Sequence, residues 1–233
     1  MIRAVLMDFN GVIINDESIQ MKVYQDIFKN EGFEMSEEEY YACTGMDDVT
    51  FIKHQFSRAG KEISDEKISE FRAAKTEGWK KIVDKEIPLG DGVENFIRKC
   101  SQRFAMGIVS MNNRQEIEYI LEKTNLRSCF TKIVSGEEVS EHKPSPQVYL
   151  ECFKYLDRRR TDAGHHPLVH RECLVIEDAP QGIEGAKRAG MQTLGVTNTF
   201  DAETLRRAGA DSVTKSLADW MPDSLVRVFS KTA

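Results

Sequence analysis

Five short apolar runs, four of them ending on a polar residue and most followed by a helix-period pattern, constrain this 233-residue chain more than any other feature. They read as strands at Arg3 to Asp8, Phe104 to Ser110, Lys132 to Ser135, Cys173 to Glu177 and Thr193 to Val196. Near-continuous apolarity, rather than alternation, marks strands covered on both faces, as in a parallel sheet. The covering helices are expected near Val93 to Cys100, Arg114 to Lys123, Pro146 to Leu156 and Gln181 to Ala189. Ser145-Pro146 supplies a hydroxyl cap and a first-turn proline, and Gly190 is a helix-ending glycine. The pattern predicts an α/β fold built on a parallel sheet.

Residues 16 to 88 break this rhythm. They hold no strand pattern but several amphipathic helical segments. One opens on a capping box at Ser36-Glu37-Glu38-Glu39, and a long one runs from Ser64 to Val83. Pro88-Leu89-Gly90 marks the return. The expected organisation is an α/β core from residues 1–15 and 89–233, with an all-helical cap domain, residues 16–88, inserted after the first strand. Asp157 to Arg171 reads as an unusually long polar connection.

The net charge of −6 argues against a broad nucleic-acid surface. No apolar run reaches membrane-spanning length, and a strand starting at residue 2 or 3 leaves no room for a signal peptide. Cys43, Cys100, Cys129, Cys152 and Cys173 are odd in number and form no CxxC pair, so reduced thiols and a cytoplasmic location are expected. A monomer or weak oligomer is expected.

Ligands of an open parallel sheet gather at the carboxyl ends of its strands. The first strand delivers Asp8 and then Asn10-Gly11; the second delivers Ser110, Met111, Asn112 and Asn113. The third leads through SGEEVSEHK to Lys143, and the fourth delivers Glu177-Asp178. A carboxylate nucleophile, hard oxygen ligands for Mg²⁺, a hydroxyl and a lysine suit phosphoryl transfer. Asp8 would attack phosphorus, Asp8, Glu177 and Asp178 would hold the metal, and Ser110 and Lys143 would grip the transferring group. Taken singly, each has a plainer reading as a turn, cap or surface residue; four such features on one rim do not.

These motifs, in this order, resemble those of the haloacid dehalogenase-like superfamily. The similar branch carries a helical cap after the first motif, and includes β-phosphoglucomutase, phosphoglycolate phosphatase and sugar-phosphate phosphatases. Asp8-Phe9-Asn10-Gly11 resembles the nucleophile loop, Ser110 the second motif, Lys143-Pro144-Ser145-Pro146 the third, and Glu177-Asp178 within IEDAPQGIEGAKRAGM the fourth. The resemblance implies a Rossmann-like sheet, Mg²⁺ and a small phosphorylated metabolite. It also implies a mobile cap whose specificity loop is Gly45-Met46-Asp47-Asp48. Lys75 falls where a cap lysine reaches for the substrate phosphate, although a charged residue on a helical module is ordinarily solvated.

Asn10 departs from the family. An aspartate there protonates the departing oxygen, then activates the accepting water or alcohol, and its backbone carbonyl binds the metal. Asn10 keeps the carbonyl, but an amide is no acid or base near neutral pH, a loss of about 10²- to 10⁴-fold in rate. Gln20 likewise stands near a usual cap-linker histidine. The readings are a slow or specialised Asp8-dependent phosphatase, a phospho-ligand-binding pseudoenzyme, or a β-phosphoglucomutase-type mutase, the last most handicapped by Asn10. An engineered Asn10, or slow deamidation at Asn10-Gly11, are further explanations. His165, His166 and His170 lack tight ligand spacing, and Arg158-Arg159-Arg160 is too short a run for a nucleic-acid patch.

Overall fold

The computed structural model describes residues 1–229. In chain order the elements are β1 (Ala4–Met7), α1 (Glu17–Asn30), α2 (Glu37–Tyr41), α3 (Asp48–Arg58), α4 (Asp65–Val83), α5 (Val93–Ser101), β2 (Ala105–Val109) and α6 (Arg114–Lys123). There follow β3 (Lys132–Val134), α7 (Gln147–Asp162), β4 (Cys173–Glu177), α8 (Pro180–Arg188), β5 (Gln192–Val196), α9 (Ala202–Arg207), β6 (Ser212–Thr214) and α10 (Pro222–Phe229).

The strands form one parallel sheet in the order β3-β2-β1-β4-β5-β6. β1 lies centrally, with Met7 paired to Ile108 on β2 and to Ile176 on β4. Its four residues are buried on both faces. Val5 and Met7 join a core with Phe96, Ile97, Ile117 and Ile120 of α5 and α6, while Ala4 and Leu6 face Val148, Tyr149 and Cys152 of α7. The chain winds to β2 and β3 on one side of β1 and to β4, β5 and β6 on the other. The carboxyl ends of β1, β2 and β4 therefore flank the topological switch point, where such sheets bind ligands.

Helices α1 to α4 form an inserted helical layer with its own core of Tyr24, Phe28, Phe51, Phe56 and Phe71. Their starts follow from short-range chemistry. Ser36 and Glu39 close a reciprocal capping box, Asp47 accepts from the amides of Val49 and Thr50 at 2.8 and 3.0 Å, and Ser64 accepts from Lys67. Entry and exit run side by side at a narrow neck: Asn15 N–H donates to Pro88 at 2.8 Å and Gly90 N–H to Ile13 at 3.0 Å.

Two expectations need correction. β6 carries no apolar run, since its three residues are only half-buried at the sheet edge. The polar connection is shorter than expected, because α7 continues through Asp157-Arg158-Arg159-Arg160 to Asp162. Arginines are good helix formers and tolerate an exposed face, so charge alone did not mark the helix end. Ser145 acts one place before the helix cap, Pro146, accepting from Gln147 N–H at 3.3 Å. The five cysteines are free thiols, and no helix among the described residues is long and apolar enough to cross a membrane.

Candidate active site

The loop after β1 curls tightly: the amides of Ile13 and Ile14 both donate to the Phe9 carbonyl, and Asp8 N–H donates to Ile176 on β4 at 3.0 Å. Gly11 has a φ of +69°, and a Cβ there would lie 1.7 Å from Asp178 Oδ2. Only glycine allows both the turn and the close approach of Asp178. A Cβ at Gly182 would likewise lie 2.1 Å from Glu177 Oε2.

Asp8, Glu177 and Asp178 each bring a carboxylate oxygen within 4.8 Å of the others, the one such cluster of metal-type side chains among the described residues. The loop histidines form no such cluster; His170 packs edge-on against Phe153. Lys143 reaches Asp8 Oδ1 at 3.1 Å and Glu177 Oε1 at 2.6 Å, and Tyr149 also donates to that Glu177 oxygen at 2.7 Å. Glu177 Oε2 is buried and accepts no hydrogen bond. Burial and the charge of Asp8 push Glu177 up to about 7 despite Lys143. Burial, with Asp8, Glu17 and Glu177 around it, pushes Asp178 well above the carboxylate range. One lysine does not offset three buried carboxylates, so hard oxygens, an unpaired one among them, fit a divalent cation such as Mg²⁺.

A pH dependence follows. Burial pushes Asp16 to about 6, and burial pushes Glu17 and Glu177 to about 7, so the folded metal-free chain binds protons that the unfolded chain has released. Its stability is expected to fall as pH rises from about 5 to about 8, and to level off above the raised values. Thermal melts across that range check this. Saturating Mg²⁺ should flatten the curve by stabilising the ionised Glu177 and Asp178.

All the residues expected at the site line one cavity of about 100 Å³ between sheet and helical layer. From the core come Asp8, Asn10, Ser110, Met111, Asn112, Lys143, Glu177 and Asp178; from the insert come Gly45, Asp48 and Lys75. Asn112, whose backbone N–H donates to Ser110 Oγ at 3.2 Å, lines the same cavity, and its side-chain Nδ2 is buried without a partner. Lys75 is not solvated: it is 2% exposed, 2.9 Å from Glu116 Oε2 on α6 and 3.4 Å from Asp48. Burial alone would raise Asp48, but Lys75, Tyr24 and Asn113 together hold it below the usual carboxylate range.

Asn10 is equally committed. Its Nδ2 donates to Asp16 Oδ1 at 2.8 Å, while Asp16 Oδ2 accepts from Gln20 at 3.0 Å and from Trp79 Nε1 at 2.6 Å. Gln20 also donates to Glu116 at 3.0 Å, and Thr76 donates to Glu116 at 2.7 Å. Asp16 is fully buried, and this network runs from the loop after β1 through α1 and α4 to α6. An aspartate at residue 10 would face the buried Asp16 carboxylate instead of donating to it, so the amide belongs to its surroundings. Deamidation is opposed as well: Asn10 Nδ2 and the Gly11 amide, which donates to Ile14 at 2.7 Å, are both tied up in hydrogen bonds.

Glu17, Tyr24 and Tyr40 also line the cavity without having been expected there. Asp16, Trp79 and Glu116 support it from behind. Their helices read as ordinary amphipathic patterns, and only the docking of α1 and α4 on α6 turns those faces inward. The adjacent carboxylates Asp16-Glu17, directly at the neck, were the available signal.

The sequence model of the haloacid dehalogenase-like hydrolase family matches residues 5–196. The chain belongs to that family. It is 28% identical over 222 residues to the validoxylamine A 7'-phosphate phosphatase of Streptomyces hygroscopicus subsp. limoneus, covering 94% of this chain and 96% of that protein. It is 25% identical to the Arabidopsis thaliana chloroplastic protein SUPPRESSOR OF QUENCHING 1, of which it spans only 19%. Among solved structures, β-phosphoglucomutase from Clostridium difficile superposes with a TM-score of 0.83, covering 99% of this chain and 98% of that one. At 19% identity that likeness concerns the fold: the six-stranded parallel sheet and its helices are the family's. As a family member with phosphatase relatives, the chain has the fold of a phosphatase or phosphomutase, with its rim carboxylates at the switch point.

Proposed function

We propose that this protein is a Mg²⁺-dependent phosphatase that cleaves a small phosphomonoester through an aspartyl phosphate on Asp8. The observation that carries this reading is the placement of Lys143, 3.1 Å from Asp8, beside two further carboxylates in a cavity closed by the helical insert. Asp8, Asp178 and Glu177, with the Asn10 backbone carbonyl, would hold the cation, whose role is to neutralise charge on the phosphoryl oxygens. Asp8 is the nucleophile. Lys143, Ser110 and the free Asn112 amide hold the transferring group, a charge-matched cradle around the site where negative charge develops. Residues 16–88 act as a cap hinged at the Asn15–Pro88 neck, admitting substrate and then excluding water.

The leaving-group side is lined by acceptors. Gln20 Oε1 is buried and unpaired, Glu17 and Asp48 are carboxylates, and the Lys75 charge is already matched by Glu116 and Asp48. A second phosphate or carboxylate on the substrate would find no free cation there. The fitting leaving group is a hydroxyl- or amine-rich alcohol. Relatives named for validoxylamine A 7'-phosphate and for phosphorylated carbohydrates accord with this.

A turnover panel from acetyl phosphate and p-nitrophenyl phosphate to polyol phosphates, with and without Mg²⁺, tests the reading. Asp8→Asn should lose all turnover, and chelation should do the same to the unaltered protein. Binding without turnover is the second reading, favoured by the commitment of the Asn10 amide to Asp16. It replaces the first if phosphate esters bind and none is cleaved.

A further inference from the structure

We propose that Glu17, rather than residue 10, donates and accepts the proton at this site. The inference rests on the phosphatase reading above and names the group that completes it.

Asn10 cannot exchange a proton and is held by Asp16. Asp16 itself does not line the cavity, and its two oxygens already take donors from Asn10, Gln20 and Trp79. Asp48 is held ionised by Lys75, Tyr24 and Asn113. Glu177 and Asp178 belong to the cation cluster, Lys143 is paired with Asp8 and Glu177, and burial carries the hydroxyls of Tyr24 and Tyr40 far above neutrality. Asp47, which also lines the cavity, accepts from the amides of Val49 and Thr50 and lies 2.8 Å from His142, which leaves Glu17 as the cavity carboxyl that none of these engagements consumes.

Its own position fits the task. Glu17 stands in the first turn of α1, directly after the neck, half-buried and facing the cavity that Asp8 enters from the core. The Tyr40 hydroxyl donates to Oε2 at 2.7 Å, and among the described residues Oε1 has no hydrogen-bond partner. One oxygen is thus anchored and the other is free to meet a substrate oxygen or a water. The charges facing it are Asp16 on its own element, Asp8 and Asp178 from the core, and Lys75 from α4, with Tyr40 and Tyr41 beside it. Burial and then Asp16 push it up to about 7, where a carboxyl both gives and takes a proton near neutral pH.

The steps balance. An Asp8 oxygen bonds to phosphorus as the ester P–O bond breaks; the departing oxygen takes the Glu17 proton and leaves as the alcohol. Water then bonds to phosphorus while the Asp8 O–P bond breaks and returns its electron pair to the carboxylate. The water's proton passes to Glu17, which is again an acid for the next cycle.

The test uses the Mg²⁺-loaded full chain with p-nitrophenyl phosphate, whose phenol leaves without help, so that breakdown of the aspartyl phosphate limits turnover. The unaltered protein should show a rate that rises with pH through a value at or below about 7, lower with Mg²⁺ bound because the cation offsets Asp8 and Asp178. In Glu17→Gln that limb should vanish, kcat should fall roughly 10²- to 10⁴-fold, and a stoichiometric burst should leave a phosphoryl group on Asp8, seen by intact mass after acid quench. Glu17→Asp should restore part of the rate. Glu17→Gln with an unchanged rate and limb, or with only a raised KM and no burst, overturns the proposal while leaving the phosphatase reading in place. If the unaltered protein shows no Asp8-dependent turnover, both readings fall.

Discussion

Lys143→Met is expected to lower turnover roughly 10²- to 10³-fold and to cost about 3–5 kcal/mol of stability. Lys143 is 3% exposed and lies between Asp8 and Glu177, so its loss leaves a buried cluster of carboxylates with no cation. Methionine fills the volume and removes only the charge. Thermal or urea unfolding at pH 7 measures the stability term, and single-turnover kinetics measure the chemical one. The two effects should separate. In Lys143→Met combined with Glu177→Gln, much of the stability should return, since one buried charge has gone with its partner, while turnover stays low. Saturating Mg²⁺ should raise the Tm of Lys143→Met more than that of the unaltered protein, because the cation replaces the missing positive charge.

The second large effect concerns residue 10. Asn10→Asp alone is expected to give little gain, under about tenfold on alkyl phosphates, because the new carboxylate meets Asp16 where the amide had donated to Oδ1 at 2.8 Å. Two acidic groups there must share a proton. The amide and the carboxylate can instead trade places. In Asn10→Asp combined with Asp16→Asn, the new amide donates back to residue 10, and its oxygen still accepts from Gln20 and Trp79. Made in the Glu17→Gln protein, this exchange should recover roughly 10²-fold or more of the lost rate on alkyl phosphates. Aryl and acyl phosphates, which leave without a proton, should gain only in breakdown of the aspartyl phosphate. Steady-state rates across a leaving-group series check the pattern. An equal gain from Asn10→Asp alone would show that Asp16 exerts no such constraint.

Most of the core was legible because its signals are local. An apolar run such as Ala4 to Met7 is buried on both faces, so periodicity alone reads it as a sheet interior. The edge strand Ser212–Thr214 escaped because an edge needs only half-burial and keeps no apolar run. The motif residues were readable for the same topological reason that brings them together: each follows the carboxyl end of a strand, and β1, β2 and β4 are neighbours. Gly11 could be assigned to a turn from sequence, but its other duty, leaving room for Asp178, required the structure.

The sequence by itself determined the parallel sheet, the position of the helical insert and the residues on the rim, since each depends on a short stretch of chain and on burial that periodicity reports. The tertiary structure decided what those residues are paired with. Lys75 and Glu116 lie 41 residues apart, and each reads on its own as an ordinary charged helix residue. Docking α4 against α6 makes them a buried pair. The packing of α1 on α4 places Trp79 against Asp16, to which Gln20 donates from one turn further along α1, and through Asp16 turns Asn10 from a missing acid into a fixed donor. A charge on a helix looks alike in sequence whether water or a carboxylate faces it, and only the packing of the insert on the core distinguishes the two.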